Sequence, residues 1–180
     1  MAQPPHTMQL ASRADWALMI AIHDALRRDL DQLLYATASH ASAQARWGAF
    51  RSQLRFHLAA EHAAMWSRVR PELAGHQALL DAMDDERQLL GPLQAMIDDA
   101  FTIDADPTRL RQLLARLRTR LASHLAHEEA DALPLISQIL SPGELGGIAA
   151  AIRGGHSTRR AGLRSRGPSP ARAPTSVSTR

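Results

Sequence analysis

The 180-residue sequence contains no lysine and no cysteine, and all 21 of its basic residues are arginine. A P-loop needs a lysine on its phosphates, so that function class is closed. Disulfides, cysteine-based zinc sites, iron–sulfur clusters, a thiol nucleophile and c-type haem attachment are excluded by the missing cysteine. Aromatic residues make up only 4% of the chain against 45% hydrophobic residues. That apolar content is largely Ala and Leu, which favours helix over sheet. Long hydrophobic runs are also missing. The longest, Trp16 to Ile22, falls far short of the roughly 20 residues that span a bilayer. The N-terminal stretch MAQPPHTMQLASRAD has no basic region followed by an apolar one, so it does not read as a signal peptide. These absences predict a soluble, cytoplasmic protein with no membrane partner.

Acidic residues are absent from the C-terminal segment. Residues 153–180 hold seven Arg and no Asp or Glu, which leaves residues 1–152 with 14 Arg against all 18 acids, a net of −4. The overall charge of +3 therefore averages two unlike pieces. The pI near 10.8 belongs largely to the tail and is no argument that the folded part binds nucleic acid. A nucleic-acid partner is not expected.

Four long segments have helical periodicity. The first runs from about Asp15, read as an N-cap, to Ala38, with Trp16, Met19, His23, Leu26, Leu30 and Leu33 on one face. The second, from about Ser42 to Val69, carries Trp47, Phe50, Leu54, His57, Glu61 and Met65 and ends at Pro71. The third, from about His76 to Phe101, carries Leu80, Met83, Leu90 and Ile97. The fourth, from about Pro107 to Leu140, carries Leu110, Leu114, Leu117, Leu121, His124, Glu128 and Leu135. Pro107 suits a first helical turn, where its missing N–H costs nothing. Four amphipathic helices with short connections predict an all-α, up-down-up-down four-helix bundle, with a short fifth helix after Ser141-Pro142 reaching about Ile152. The expected organisation is a flexible segment over 1–13, the bundle over 14–153, and a disordered basic tail over 154–180, where Gly, Pro, Ser and Arg leave almost nothing to bury.

The informative residues interrupt these apolar stripes. His23 falls on the core face of the first helix, His57 and Glu61 on that of the second, and His124 and Glu128 on that of the fourth. Residues four apart lie on one side of a helix, about 6 Å apart along its axis, so their side chains can converge inside the bundle. One such histidine alone is ordinarily a satisfied core residue. Two His-x-x-x-Glu pairs and a third histidine, all on independently drawn stripes, are a different matter. Buried carboxylates and imidazoles destabilise a Leu/Ala core unless something compensates them, and a cation does so. Imidazole and carboxylate ligands without sulfur suit iron, manganese or zinc. The run His127-Glu128-Glu129-Ala130-Asp131 lacks the second histidine of a zinc protease motif. His62, His127 and Glu129 neighbour the ligands at other angles and read as solvated or supporting groups.

The pieces His23-Asp24, HLAAEHAAMW (57–66) and ASHLAHEEADALPLI (122–136) together resemble the hemerythrin-like family, also called the HHE cation-binding domain. The last piece looks like that family's HxxxEExxLxP signature, and the similarity covers about residues 14–152. The resemblance implies a non-haem site for two irons. His23, His57 and His124 are its terminal ligands, Glu61 and Glu128 bridge, and an open position takes O2, peroxide or NO. Oxygen binding, peroxide or nitric oxide handling, and iron or oxygen sensing all occur within the family. Two departures stand out. The family usually has Glu-His on the third helix, whereas this chain has Glu86-Arg87, and Ser67 stands where Pro is common. Arginine has no lone pair to offer a metal. A second stripe, Leu79, Met83, Glu86, Leu90, Leu93 and Ile97, allows Glu86 to face inward and complete the metal set, with Asp84 as a further stand-in. The alternative is a degenerate bundle that has lost its metal and serves as a structural or interaction module. In that case Arg87 forms a buried ion pair with Glu61 or Glu128.

Overall fold

The computed structural model describes residues 16–151, apart from positions 39, 104, 142 and 149. Asp15 and the segments 1–13 and 154–180 lie outside the described residues, and so do the expectations placed on them. Helix α1 spans Ala17–Tyr35 and closes with a 3-10 turn, Ala36–Ala38. Helix α2 spans His40–Glu61 and continues through a π-turn, His62–Trp66, into one more turn, Ser67–Val69. Helix α3 is Gln77–Thr102. Helix α4 spans Pro107–His127 and likewise runs through a π-turn, Glu128–Ala132, into Leu133–Ile139. A short helix α5 occupies 143–148. Among the described residues there is no strand, and no helix is long and apolar enough to cross a membrane.

The boundaries have local causes. The Asp106 side chain accepts a hydrogen bond from the Thr108 N–H at 3.2 Å, and Pro107 fills the first turn of α4. The N-terminus of α4 is thus capped by a side chain and rigid from its first residue. At α5 the Ser141 Oγ accepts from the Glu144 N–H at 3.4 Å, and the Glu144 carboxylate accepts from the Ser141 N–H at 2.9 Å. This reciprocal box sets the start of the last helix, whose Leu145 and Ile148 are buried. Helix α3 continues through Gly91-Pro92 without ending.

Side-chain bridges give the register of the bundle. Trp16 Nε1 donates to the Leu133 carbonyl at 3.1 Å, His23 meets Glu129, and Asp31 meets Arg118. Numbers rise along α1 as they fall along α4, so the two are antiparallel. In the same way Trp47 Nε1 donates to Asp98 at 2.7 Å, His62 meets Arg87, and Arg70 pairs with Asp84 at 2.9 Å, which sets α2 against α3. The expected stripes are buried in α1, α2 and α3. In α4 the match holds as far as Glu128, after which Ile136 and Leu133 are buried while Leu135 is only half-buried. The π-turn explains the change. It inserts a residue into the winding and rotates the following turn, so the stripe advances by one position.

The core is divided. One cluster centres on Leu30, Trp47, Leu54, Ile97, Leu114 and Leu121, and the other on Met19, Met65, Leu73, Met83, Leu133 and Ile136. Between them, at one level of the bundle, lie the buried polar groups His23, His57, Glu61, His124 and Glu128.

Candidate metal centre

All four long helices contribute to this polar layer. Helix α1 supplies His23; α2 supplies His57 and Glu61, four residues apart; α4 supplies His124 and Glu128, also four apart. Helix α3 supplies Glu86. Each His-x-x-x-Glu pair runs into a π-turn at its glutamate, a feature that recurs at functional sites because it re-aims side chains without breaking the helix. In α2 the Ser67 hydroxyl donates to the His62 carbonyl at 2.8 Å. The same carbonyl also accepts from the Ser67 N–H, so the serine gives it two donors across the widened turn.

One ligand atom each from His23, His57 and Glu61 falls within 4.8 Å of the others, and all three side chains are buried. His57 Nε2 is 2.6 Å from Glu61 Oε1. His23 Nε2 is 3.5 Å from the same oxygen and 3.6 Å from Glu128 Oε2. The His23 and His57 rings meet edge to face, with centroids 5.0 Å apart. Despite the short approach to Glu61, neither nitrogen of His57 makes an aligned hydrogen bond, and both carboxylate oxygens of Glu128 also lack a partner. These four atoms account for all but one of the orphaned buried side-chain polar atoms among the described residues, the other being Gln94 Oε1. An orphaned buried polar group typically costs about 1–3 kcal/mol. Concentrating four of them around His23 and Glu61 fits a layer whose missing partner is a cation, and the donor set of imidazole nitrogen and carboxylate oxygen suits a transition metal.

The electrostatics agree. Burial alone pushes the Glu128 carboxyl up, and the neighbouring Glu61 charge adds to this, so the acid sits well above its ordinary range. Burial also pushes Glu61 up, but His57 and His23 outweigh it and hold the carboxyl far below the usual carboxylate range. For His23, burial pushes the imidazole down. Hydrogen bonds to Glu129 and Glu61 and the charge of Glu128 reverse this and raise it to about 9. Burial keeps His124 below its ordinary value. The two acids are thus pushed in opposite directions, with His23 between them.

The third helix resolves the ambiguity left by its two stripes. Glu86 faces the layer, with Oε2 3.4 Å from His124 Nδ1 and Oε1 3.1 Å from His127 Nδ1. Asp84 faces outward, paired with Arg70, and so does not stand in as a ligand. Arg87 is half-buried at the rim, its Nη1 3.1 Å from His62 Nδ1. The buried ion pair to Glu61 or Glu128, required if the chain were a metal-free module held by Arg87, is not formed: the Glu128 oxygens have no partner, and Glu61 faces histidines. Arg87 acts on Glu128 only through its charge, which pulls the carboxyl down.

Two side chains matter more than their sequence positions suggest. Glu129 accepts a hydrogen bond from His23 Nδ1 at 2.7 Å and is bridged by Arg27 at 2.9 Å. His127 sits between Glu86 at 3.1 Å and Asp131 at 3.6 Å. The adjacent pair Glu128-Glu129 is the one sequence signal that pointed here. The two carboxylates flank one ring, with Glu129 at 2.7 Å from His23 Nδ1 and Glu128 at 3.6 Å from His23 Nε2.

No curated protein and no solved structure matches the chain. The family model of the hemerythrin HHE cation binding domain matches residues 15–136, about two thirds of the sequence. That span opens just before α1 and ends at Ile136 in the last turns of α4, taking in all four long helices and every side chain of the polar layer; the chain belongs to the hemerythrin HHE cation-binding domain family.

Proposed function

We propose that the protein binds two non-haem irons in this layer and uses them to bind, handle or sense an oxygen species such as O2, peroxide or NO. The observation that carries this reading is the convergence of unpartnered His57 and Glu128 atoms with His23 and Glu61 in one buried layer. His23, His57 and His124 would hold the metal through imidazole nitrogen, and Glu61, Glu128 and Glu86 through carboxylate oxygen, with Glu86 in place of the usual third-helix histidine. When bound, the irons would supply electrons and Lewis acidity toward a small oxygen ligand. The chain's own contribution is to hold the donors at one level, to keep the layer dry between two apolar clusters, and to leave Arg87 at the rim, where its charge favours an anionic ligand over a cationic one.

The test is elemental analysis of protein purified without a His tag or chelator. Close to two irons per chain are expected, with a near-ultraviolet charge-transfer band in the oxidised form, and both are lost when His57→Ala and His124→Ala are combined. Full metal content in that double variant would falsify the site.

A further inference from the structure

His23 differs from the other two histidines of the layer. His57 and His124 each have a glutamate four residues on in the same helix, and that glutamate belongs to the layer. His23 is followed at that distance by Arg27. It is also the only member of the layer contributed by α1, so its ring must be oriented by another helix.

The contacts show which one. His23 is fully buried, its Nδ1 is 2.7 Å from Glu129 Oε1, and its Nε2 faces Glu61 at 3.5 Å and Glu128 at 3.6 Å. The same Glu129 oxygen takes a second contact, 2.9 Å from Arg27 Nη1, and Arg27 is steadied in turn by Asp24 at 3.1 Å. A carboxylate accepting from one imidazole nitrogen leaves the lone pair on the other, and such outer partners set the direction and basicity of a metal-bound histidine. Glu129 and Arg27 are each about a quarter exposed, so neither is required to fill the core.

Resting on the metal reading above, we infer that Glu129, braced by Arg27, is a positioning residue. It holds the proton of His23 on Nδ1 and directs Nε2 into the layer, tying α1 to the π-turn of α4 at the level of the metal. Adjacent residues of α4 thus flank one ring, with Glu129 bonded at Nδ1 and Glu128 3.6 Å from Nε2.

The experiment uses the full chain, with iron(II) affinity read by chelator competition and cobalt(II) absorption as a coordination signature. Glu129→Leu lowers iron affinity by about 10- to 100-fold and alters the cobalt spectrum. Glu129→Gln restores most of the loss, because its amide oxygen accepts the same Nδ1–H. In a His23→Ala background, Glu129→Leu causes no further loss. Arg27→Gln, at an exposed edge, gives a smaller loss of the same kind and serves if Glu129→Leu fails to fold. Wild-type affinity in both Glu129→Leu and Arg27→Gln overturns the inference, as does an equal loss in the His23→Ala background or no rescue by Gln. Wild-type protein that takes up neither metal overturns the proposed function itself, and the positioning role with it.

Discussion

His57 Nε2 lies 2.6 Å from Glu61 Oε1 without lining up as its hydrogen-bond donor. This Glu61 oxygen is also 3.5 Å from His23 Nε2, and one ligand atom each of His23, His57 and Glu61 lies within 4.8 Å of the others, close enough to hold one metal ion. The same geometry that leaves both His57 nitrogens without a hydrogen-bond partner makes them available to a cation. Stability without metal and affinity for metal are therefore opposed at this layer.

That opposition is clearest at Glu128, buried with both oxygens unpartnered. Glu128→Leu should raise the stability of the metal-free protein by about 1–3 kcal/mol, read as a higher melting temperature with chelator present, and should sharply weaken iron binding. A lower metal-free melt would mean that Glu128 has a partner in solution.

Proton release gives a second prediction. The His23 imidazole is raised from 6.5 to about 9, so its contribution to folding is full below pH 6.5 and is lost as pH climbs toward 9. Glu128, also raised, acts in the same direction. The metal-free melting temperature should thus fall between pH 6.5 and 9. Iron binding needs both groups deprotonated, so affinity should rise over the same interval, with protons released on binding. Calorimetry in buffers of different ionisation enthalpy measures that release, and affinity independent of pH would count against the assignment.

Arg87 provides a third. Because it meets His62 at the rim, Arg87→His should change the metal-free stability by less than about 1 kcal/mol. Iron affinity should rise modestly, since a cation that acts on Glu128 is removed. A loss of about 3–5 kcal/mol, as for a broken buried pair, would instead place Arg87 against Glu61 or Glu128.

A fourth concerns the apolar cluster on the far side of the layer. Leu114 is fully buried there, and Leu114→Ala should cost about 2–5 kcal/mol by chemical denaturation. Iron stoichiometry in the folded fraction should not change, because the metal donors lie outside that cluster.

Much of this was legible in the residue order. Helical periodicity and two His-x-x-x-Glu pairs placed His23, His57, Glu61, His124 and Glu128 on buried faces, because a 3.6-residue period maps sequence spacing directly onto one side of a helix. The all-α class followed from the same stripes and from the Ala/Leu content. The missing lysine and cysteine removed whole classes of chemistry without reference to any fold.

Other points were decided only when the helices packed. Two stripes on α3 were equally apolar, and the rotation that brings Glu86 to His124 and leaves Arg87 at His62 is fixed by α2 and α4, not by α3 itself. The two π-turns left no mark in the periodicity, yet one of them shifts the buried position from Leu135 to Ile136, and the contact of Glu129 with His23 exists only between packed helices. The physical reason is one of range. A stripe is a local property set by backbone winding, whereas helix rotation and a widened turn are set by the energy of side chains meeting across the bundle, between residues as far apart in sequence as His23 and Glu129.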